Sequence, residues 1–332
     1  MEQRTLGRTG AKVSVVGLGT WQIGADWGDV AEPVALEMLD KAQRDGVTLF
    51  DTADVYGDGR SERLIAEYLR HVPAHRHPFV ATKMGRRLPQ LVGNYTWSNF
   101  VEWTDRSRTN LRMDTLDLVQ LHCPPSGVYG NEEVYENLDR LVEEGRIKNY
   151  GVSVETCDEA LEALEHDGVA TIQIILNVFR RKPLDEVLPL AQSKGVGIIA
   201  RVPLASGLLS GRFSHDTEFA KDDHRNFNRN GEAFDQGETF SGVDYDDGVH
   251  AAREFTELAR ELGPKNSTPA QVALRWVIDQ PGVTTVIPGA RSAEQARGNA
   301  AAGKLPPLSQ ELNAALEELY DRHFRDAIHE KW

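Results

Sequence analysis

The sequence predicts one closed (β/α)8 barrel, a TIM barrel, over residues 1–332, and three observations carry that prediction. Eight short apolar runs alternate with segments whose apolar residues recur at three and four residue spacing. Most runs are four to eight residues long and apolar on both faces, as buried parallel strands are. Several of them end in one polar or ionisable residue, the pattern of strands that reach the mouth of a barrel. A doubly wound sheet is the structural rival, but Gly17-Leu18-Gly19 is followed by Gln22 where a dinucleotide fingerprint wants its third glycine. No Walker A sequence occurs either.

In chain order, residues 4–20 read RTLGRTGAKVSVVGLGT, two strand-like runs around a Thr-Gly turn. They imply an N-terminal β-hairpin leading into a first barrel strand at 15–20. Helix-patterned segments follow at 33–44, 61–69, 99–111, 132–143, 157–165 and 183–193. The runs between them are LFDTAD, FVATK, LDLVQLH, YGVSV, TIQIILN and GIIARVPL, and a last strand, TTVIPG, lies at 284–289. After the seventh strand the alternation breaks, and residues 212–248 carry little periodicity and many Asp, Asn and Gly. A loop this long is a lid or binding segment unless it is disordered. The interleaved Phe213, Phe219, Phe227, Phe234, Phe240 and Tyr245 argue for a folded segment over the barrel mouth. Helices are expected at 249–262 and 269–280, with Thr268 as N-cap and Pro269 at the first helical position. Extra C-terminal helices are expected at 293–302 and 310–322.

The 37 basic and 51 acidic residues leave a net charge of −14, which argues against nucleic acid or an anionic membrane as partner. No apolar stretch approaches the roughly 18 residues of a membrane span. The start MEQRTLGRTG lacks the apolar region of a signal peptide, so a cytoplasmic protein is expected. Cys123 and Cys157 have no CxxC spacing, which implies neither a disulfide framework nor a zinc knuckle. His71, His75 and His77 fall just before the third strand, at the end of the barrel away from the mouth, and no metal site is assigned to them. An oligomer is not required.

If the strands are phased as above, Asp51, Tyr56, Lys83 and His122 come from the C-terminal ends of the second, third and fourth strands. Adjacent strands lie about 4.8 Å apart, so these groups can meet. A free tyrosine, with a pKa near 10, is a weak acid for neutral conditions; a nearby ammonium lowers that value and a carboxylate holds the ammonium in place. Tyr56 is then the proton donor, Lys83 its tuner and Asp51 the lysine's anchor, while His122 orients a carbonyl or shares the transfer. Asp54 and Asp58 are read as turn residues. A metal-dependent barrel hydrolase using Asp51 and His122 is the rival chemistry for the same mouth.

GLGTW at 17–21, FDTADVYG at 50–57, ATK at 81–83, VQLH at 119–122, GVS at 151–153 and IPGAR at 287–291 together resemble an aldo-keto reductase over nearly the whole chain, of the long-loop branch related to potassium-channel β subunits. The resemblance implies an NAD(P)(H)-dependent oxidoreductase that interconverts aldehydes or ketones and alcohols, with Asp51, Tyr56, Lys83 and His122 as catalytic tetrad. A redox-sensing or regulatory module that binds cofactor with little turnover is the other function found in such a branch.

By the same resemblance, Gly19, Thr20, Trp21 and Asp51 contact the cofactor, and Ser153 and Gln173 hold the nicotinamide carboxamide. Arg201 stands where many members place a tyrosine under the ring, and Val154 where many have asparagine. PLASGLLSGRF at 203–213 resembles the segment that wraps the pyrophosphate, which implies contacts from Pro203, Leu204, Ser206, Gly207, Leu208, Ser210, Gly211 and Arg212. Ile287, Gly289, Arg291, Gln295 and Asn299 complete the expected cofactor site. Gly289 and Gln295 replace the usual basic residues for a 2′-phosphate, and Arg291 remains as a cation there, so NADP(H) is favoured with NAD(H) as the alternative. Trp21, Trp27, Tyr56 and His122 are the expected substrate contacts, and Trp97 is read equally as pocket wall or as packing residue.

Overall fold

The computed structural model describes residues 1–24, 30–221 and 223–332. A hairpin of β1 (Gln3–Thr5) and β2 (Lys12–Ser14) comes first, antiparallel with Gln3 opposite Ser14. Eight strands then form one sheet in chain order: β3 (Leu18–Gly19), β4 (Leu49–Asp51), β5 (Phe79–Met84), β6 (Leu118–His122), β7 (Tyr150–Ser153), β8 (Val169–Ile175), β9 (Gly197–Arg201) and β10 (Val283–Val286). All neighbouring pairs are parallel. The two edges meet through parallel bridges, Val16 to Val286 and Gly19 to Gly289, and the Gly17 N–H donates to the Val286 carbonyl at 2.8 Å. The sheet therefore curls back onto itself as a (β/α)8 barrel. Every residue of β4, β6, β7, β8, β9 and β10 is buried, which is why their sequences show no alternation.

Helices α1 (Glu32–Arg44), α2 (Arg60–Leu69), α3 (Trp97–Leu111), α4 (Glu132–Glu143), α5 (Cys157–Ala163) and α6 (Val187–Lys194) follow β3 to β8 in turn. After β9 come α7 (His224–Phe227), α8 (Tyr245–Leu262) and α9 (Pro269–Asp279), and after β10 come α10 (Ala293–Ala302) and α11 (Gln310–Tyr320). Thr268 caps α9 as expected, in a reciprocal capping box with Gln271. The segment expected to be helical from residue 183 divides instead into a 3-10 turn at Lys182–Leu184 and the helix α6. Pro183 stands in that turn, and Pro189 occupies the first turn of α6, where a missing N–H breaks no helical bond. Among the described residues no helix is long and apolar enough to cross a membrane.

The segment between β9 and α8 is folded around its own aromatic rings. Phe213 meets Phe219 at 5.3 Å, Phe219 meets Phe240 at 5.8 Å, and Phe240 meets Tyr245 at 5.0 Å between centroids. Such pairs stabilise beyond the area they bury. At the opposite end of the barrel the hairpin turn lies against the strand starts. Gly7 has φ 48°, and a Cβ there would run into the backbone of Gly197 and Ala170, at the starts of β9 and β8. Only glycine meets both demands. His75 and His77 also lie at this end, in a groove with Lys12, Arg76, Asp117 and Lys148, far from the strand ends that carry Asp51 and His122. Gly7→Ala should therefore lower the free energy of unfolding by about 2 kcal/mol or more, through strain and overpacking. Urea denaturation would measure it, and an unchanged midpoint and slope would contradict the docking argument.

Candidate active site

Asp51 ends β4, Lys83 stands near the end of β5 and His122 ends β6, while Tyr56 lies on the turn between β4 and α2. The parallel register sets Gly19 beside Asp51, His122 beside Ser153 and Ser153 beside Gln173, so polar groups line up around one rim. The Lys83 ammonium donates to Asp51 Oδ1 at 2.5 Å, to the Thr52 carbonyl at 2.8 Å and to the Tyr56 hydroxyl at 3.4 Å. Asp51 Oδ2 accepts from Gln173 at 2.8 Å and from Gln120 at 3.3 Å. Both charges of the pair are almost wholly buried. The Tyr56 ring stacks on Trp21 at 5.9 Å and meets the His122 ring edge-on at 5.9 Å.

Burial raises the Tyr56 pKa above its ordinary 10, and Lys83 offsets this only in part because Asp51 and Glu238 push the other way. The sequence reading put the net shift downward; desolvation of the phenolate wins here. Tyr56 is thus a neutral phenol beside a buried cation. Burial opposes the charge on Lys83, but Asp51 and Tyr56 outweigh it and its pKa rises. His122 titrates well below the usual 6.5 because it is buried and faces Arg86, Lys83 and Arg201. Its imidazole is neutral, and among the described residues Nδ1 has no hydrogen-bond partner.

These groups open into a cleft of about 880 Å3 that runs from Tyr56 and His122 to the start of α10. Gly19, Thr20, Trp21, Asp51, Ser153, Gln173 and Arg201 line it, with Pro203, Leu204, Ser206, Gly207, Ser210 and Arg212 along one side. Ile287, Gly289, Arg291, Gln295 and Asn299 line its far end. Leu208 and Gly211 do not: Leu208 is buried against the Gly248 position, and a Cβ on Gly211 would meet Thr256. The turn after β9 forces alternate residues away from the cleft, which its sequence does not disclose. It also holds Val202, Ala205 and Ser206 in left-handed backbone, with φ of 52°, 46° and 54°. A β-branched residue there is strained, and strain of this kind collects at binding loops. Trp27 lies outside the described residues. Trp97 is a packing residue, covered by the Arg140 guanidinium at 3.8 Å.

A set that sequence reasoning did not single out sits beside His122. Arg86, two residues past β5, donates to the His122 carbonyl at 3.1 Å, to Glu155 at 3.3 Å and to Glu238 at 3.2 Å. Arg201 donates to Glu155 at 2.8 Å and to the Val154 carbonyl at 2.9 Å, and lies 3.5 Å from Glu238. Arg201 is therefore fixed by ion pairs at the cleft wall. Burial pushes the Glu155 carboxyl up, whereas Arg201 and Arg86 overcome burial and hold Glu238 low. Cys123, Glu155 and Glu238 are the one group of potential metal ligands found together among the described residues. The two guanidiniums already balance those carboxylates, and burial raises the thiol of Cys123 to about 12, so the set is unsuited to a cation.

The fold and its mouth define a barrel oxidoreductase: a buried tyrosine beside a lysine–aspartate pair and a glycine-lined cleft of cofactor size share one rim. The chain belongs to the aldo/keto reductase family, whose model matches residues 15–321. The aldo-keto reductase YhdN of Bacillus subtilis is 30% identical over 298 residues, 89% of this chain and 86% of that protein. The solved structure of the glycerol dehydrogenase AKR11B4 from Gluconobacter oxydans superposes with a TM-score of 0.77 at 30% identity, covering 94% of this chain and 93% of that one. An aldo-keto reductase from Klebsiella pneumoniae in complex with NADPH gives 0.71 at 25% identity, covering 96% of each chain.

Asp54, expected to be a turn residue, is wholly buried, and among the described residues neither carboxyl oxygen has a hydrogen-bond partner. Burial and the nearby Glu62 raise its pKa to about 7 despite Arg87 and Arg106. A carboxyl whose folded pKa lies above its unfolded value contributes its stability below the unfolded pKa and loses it as pH climbs through the folded one. From 3.8 to about 7 is about three pH units, which at about 1.36 kcal/mol each makes a loss on the order of 4 kcal/mol. Asp54→Asn stays neutral throughout. Its melting temperature relative to the wild type should rise from pH 5 to about pH 7 and level off above, and a difference that stays flat throughout would refute this account of the buried acid.

Proposed function

We propose that the protein is a carbonyl reductase that prefers NADP(H) and reduces aldehydes or ketones reversibly. The observation that carries this reading is Lys83 held between Asp51 and the Tyr56 hydroxyl at the floor of the cleft. A reduced nicotinamide, when bound, supplies hydride to the carbonyl carbon. Tyr56 gives its phenolic proton to the carbonyl oxygen, and the O–H bond that breaks leaves a phenolate beside the Lys83 ammonium. Asp51 keeps that ammonium charged and in place, so the charge created on Tyr56 is met by a fixed partner rather than by water. Neutral His122 donates a hydrogen bond to the same oxygen and orients it. In the reverse direction the phenolate accepts the alcohol proton.

Several features support nicotinamide binding by this chain's own residues. Gly19 has the Ile287 carbonyl 3.0 Å from where a Cβ would be, so a side chain there would crowd the strand end at the cleft. Ser153 and Gln173 face the cleft as carboxamide partners, and Arg201 is held rigidly at its wall. Arg212 and Arg291 line the cleft and favour a phosphorylated ligand, with Arg291 at the α10 end, where a 2′-phosphate is expected, whereas Arg225 is already paired with Asp223. The Klebsiella relative bound to NADPH points the same way.

Tyr56→Phe should lower kcat for carbonyl reduction by about 100- to 10,000-fold, with NADPH affinity by fluorescence titration held near wild type. Near wild-type turnover by a cofactor-bound variant would sink the proton-donor assignment. Parallel titrations should also show NADPH binding more tightly than NADH; equal or reversed affinities would remove the NADP(H) preference while leaving the chemistry intact.

A further inference from the structure

We infer that Arg201 and Glu155 set how the site discriminates between the two redox forms of its nicotinamide: the Arg201 guanidinium disfavours the cationic oxidised ring relative to the neutral reduced one, and the Glu155 carboxylate limits that bias. This rests on the reductase reading above. A ring that gives hydride to the carbonyl held by Tyr56 and His122 has to stand against it, at their level of the cleft. The wall there is made by Ser153 of β7, Gln173 of β8 and Arg201 of β9. Arg201 is the cation of the three, and among the described residues its Nε has no hydrogen-bond partner. The two redox forms differ chiefly by one positive charge on the ring. Fixed charge nearby therefore separates them, whereas contacts to ribose, adenosine and phosphate are common to both.

That fixed charge is a balance of four buried groups. Arg201 donates to Glu155 Oε2 at 2.8 Å and lies 3.5 Å from Glu238, while Arg86 lies 3.3 Å from Glu155 and 3.2 Å from Glu238. With both acids ionised the charges cancel, and little water is present to screen any excess. The acids are not equivalent. Burial and the neighbouring Glu238 raise the Glu155 carboxyl to about 7 against the pull of Arg201 and Arg86, whereas the two guanidiniums keep Glu238 ionised. A proton on Glu155 thus leaves one uncompensated positive charge at the wall, which weakens binding of the oxidised ring relative to the reduced one as pH falls. The other groups that face Glu155 keep their charge near neutral pH. Burial holds the Cys123 thiol and the Tyr129 phenol protonated, and His122 stays neutral. Arg180 donates to the Glu155 carbonyl, and Glu159 accepts from the Glu155 N–H at 2.9 Å.

The test measures dissociation constants with no carbonyl or alcohol present, for NADPH by its fluorescence and for NADP+ by displacement of NADPH. Wild type, Arg201→Gln and Glu155→Gln are compared at pH 8.5, where Glu155 is ionised. The quantity read is the ratio of the NADP+ constant to the NADPH constant, in which contacts common to both forms cancel. Arg201→Gln should lower that ratio about five-fold and Glu155→Gln should raise it about five-fold, the size expected of one poorly screened unit charge near the ring. Opposite shifts of more than about two-fold support the inference, and any other pattern overturns it while leaving the reductase reading in place. Failure of the wild type to bind either NADPH or NADP+ would instead overturn the reductase reading. The wild type also supplies a measurement that needs no variant to fold: its ratio should fall between pH 6 and pH 8.5, and one that rises or stays flat within about two-fold overturns the inference.

Discussion

The buried ion pair of Lys83 and Asp51 is the constraint on which the mouth of this barrel is built. A charge taken out of water must recover its solvation from fixed partners, and removing one partner leaves the other stranded. Asp51 therefore gathers Gln120 and Gln173 from β6 and β8 as well as Lys83 from β5, and four strands are tied at one level by a single carboxylate. The same requirement turns the Lys83 ammonium towards the Tyr56 hydroxyl, its remaining side-chain contact. Positioning for chemistry and satisfaction of buried charge are here one arrangement.

Much of this was legible in the sequence, and the reason is local. Strands buried on both faces appear as unbroken apolar runs, so a polar residue at the end of one stands out, as Asp51, Lys83 and His122 do. Helices α4 and α10 have the bounds that periodicity gave them because their apolar stripes are unbroken by proline. Where Pro183 intervened, the expected helix divided, leaving a 3-10 turn ahead of α6. Leu208 and Gly211 point away from the cleft for a reason no spacing reveals, a turn that runs through left-handed backbone.

The ion pair of Arg86 and Glu238 lay further out of reach. Arg86 and Glu238 are 152 positions apart, and Glu238 sits in a stretch with no periodicity to phase it. A partial signal did exist: Arg86 follows β5 by two positions and Glu155 follows β7 by two, which places both just above the rim already marked by Lys83 and Ser153. Asp54 stands in a turn, as expected, and only its burial was hidden from the sequence. Aspartate in a turn is ordinarily solvated or capping, and only the packing of α2 and its neighbours decides that this one is enclosed.

The folded segment between β9 and α8 has a consequence for how such a protein can diversify. The segment carries Glu238 to the mouth, where its carboxylate raises the Tyr56 pKa, and its His224 and Phe234 rings meet Trp21, which itself stacks on Tyr56. Rim and segment are therefore coupled: rewriting the segment reshapes the cleft and resets the electrostatic surroundings of Tyr56 together.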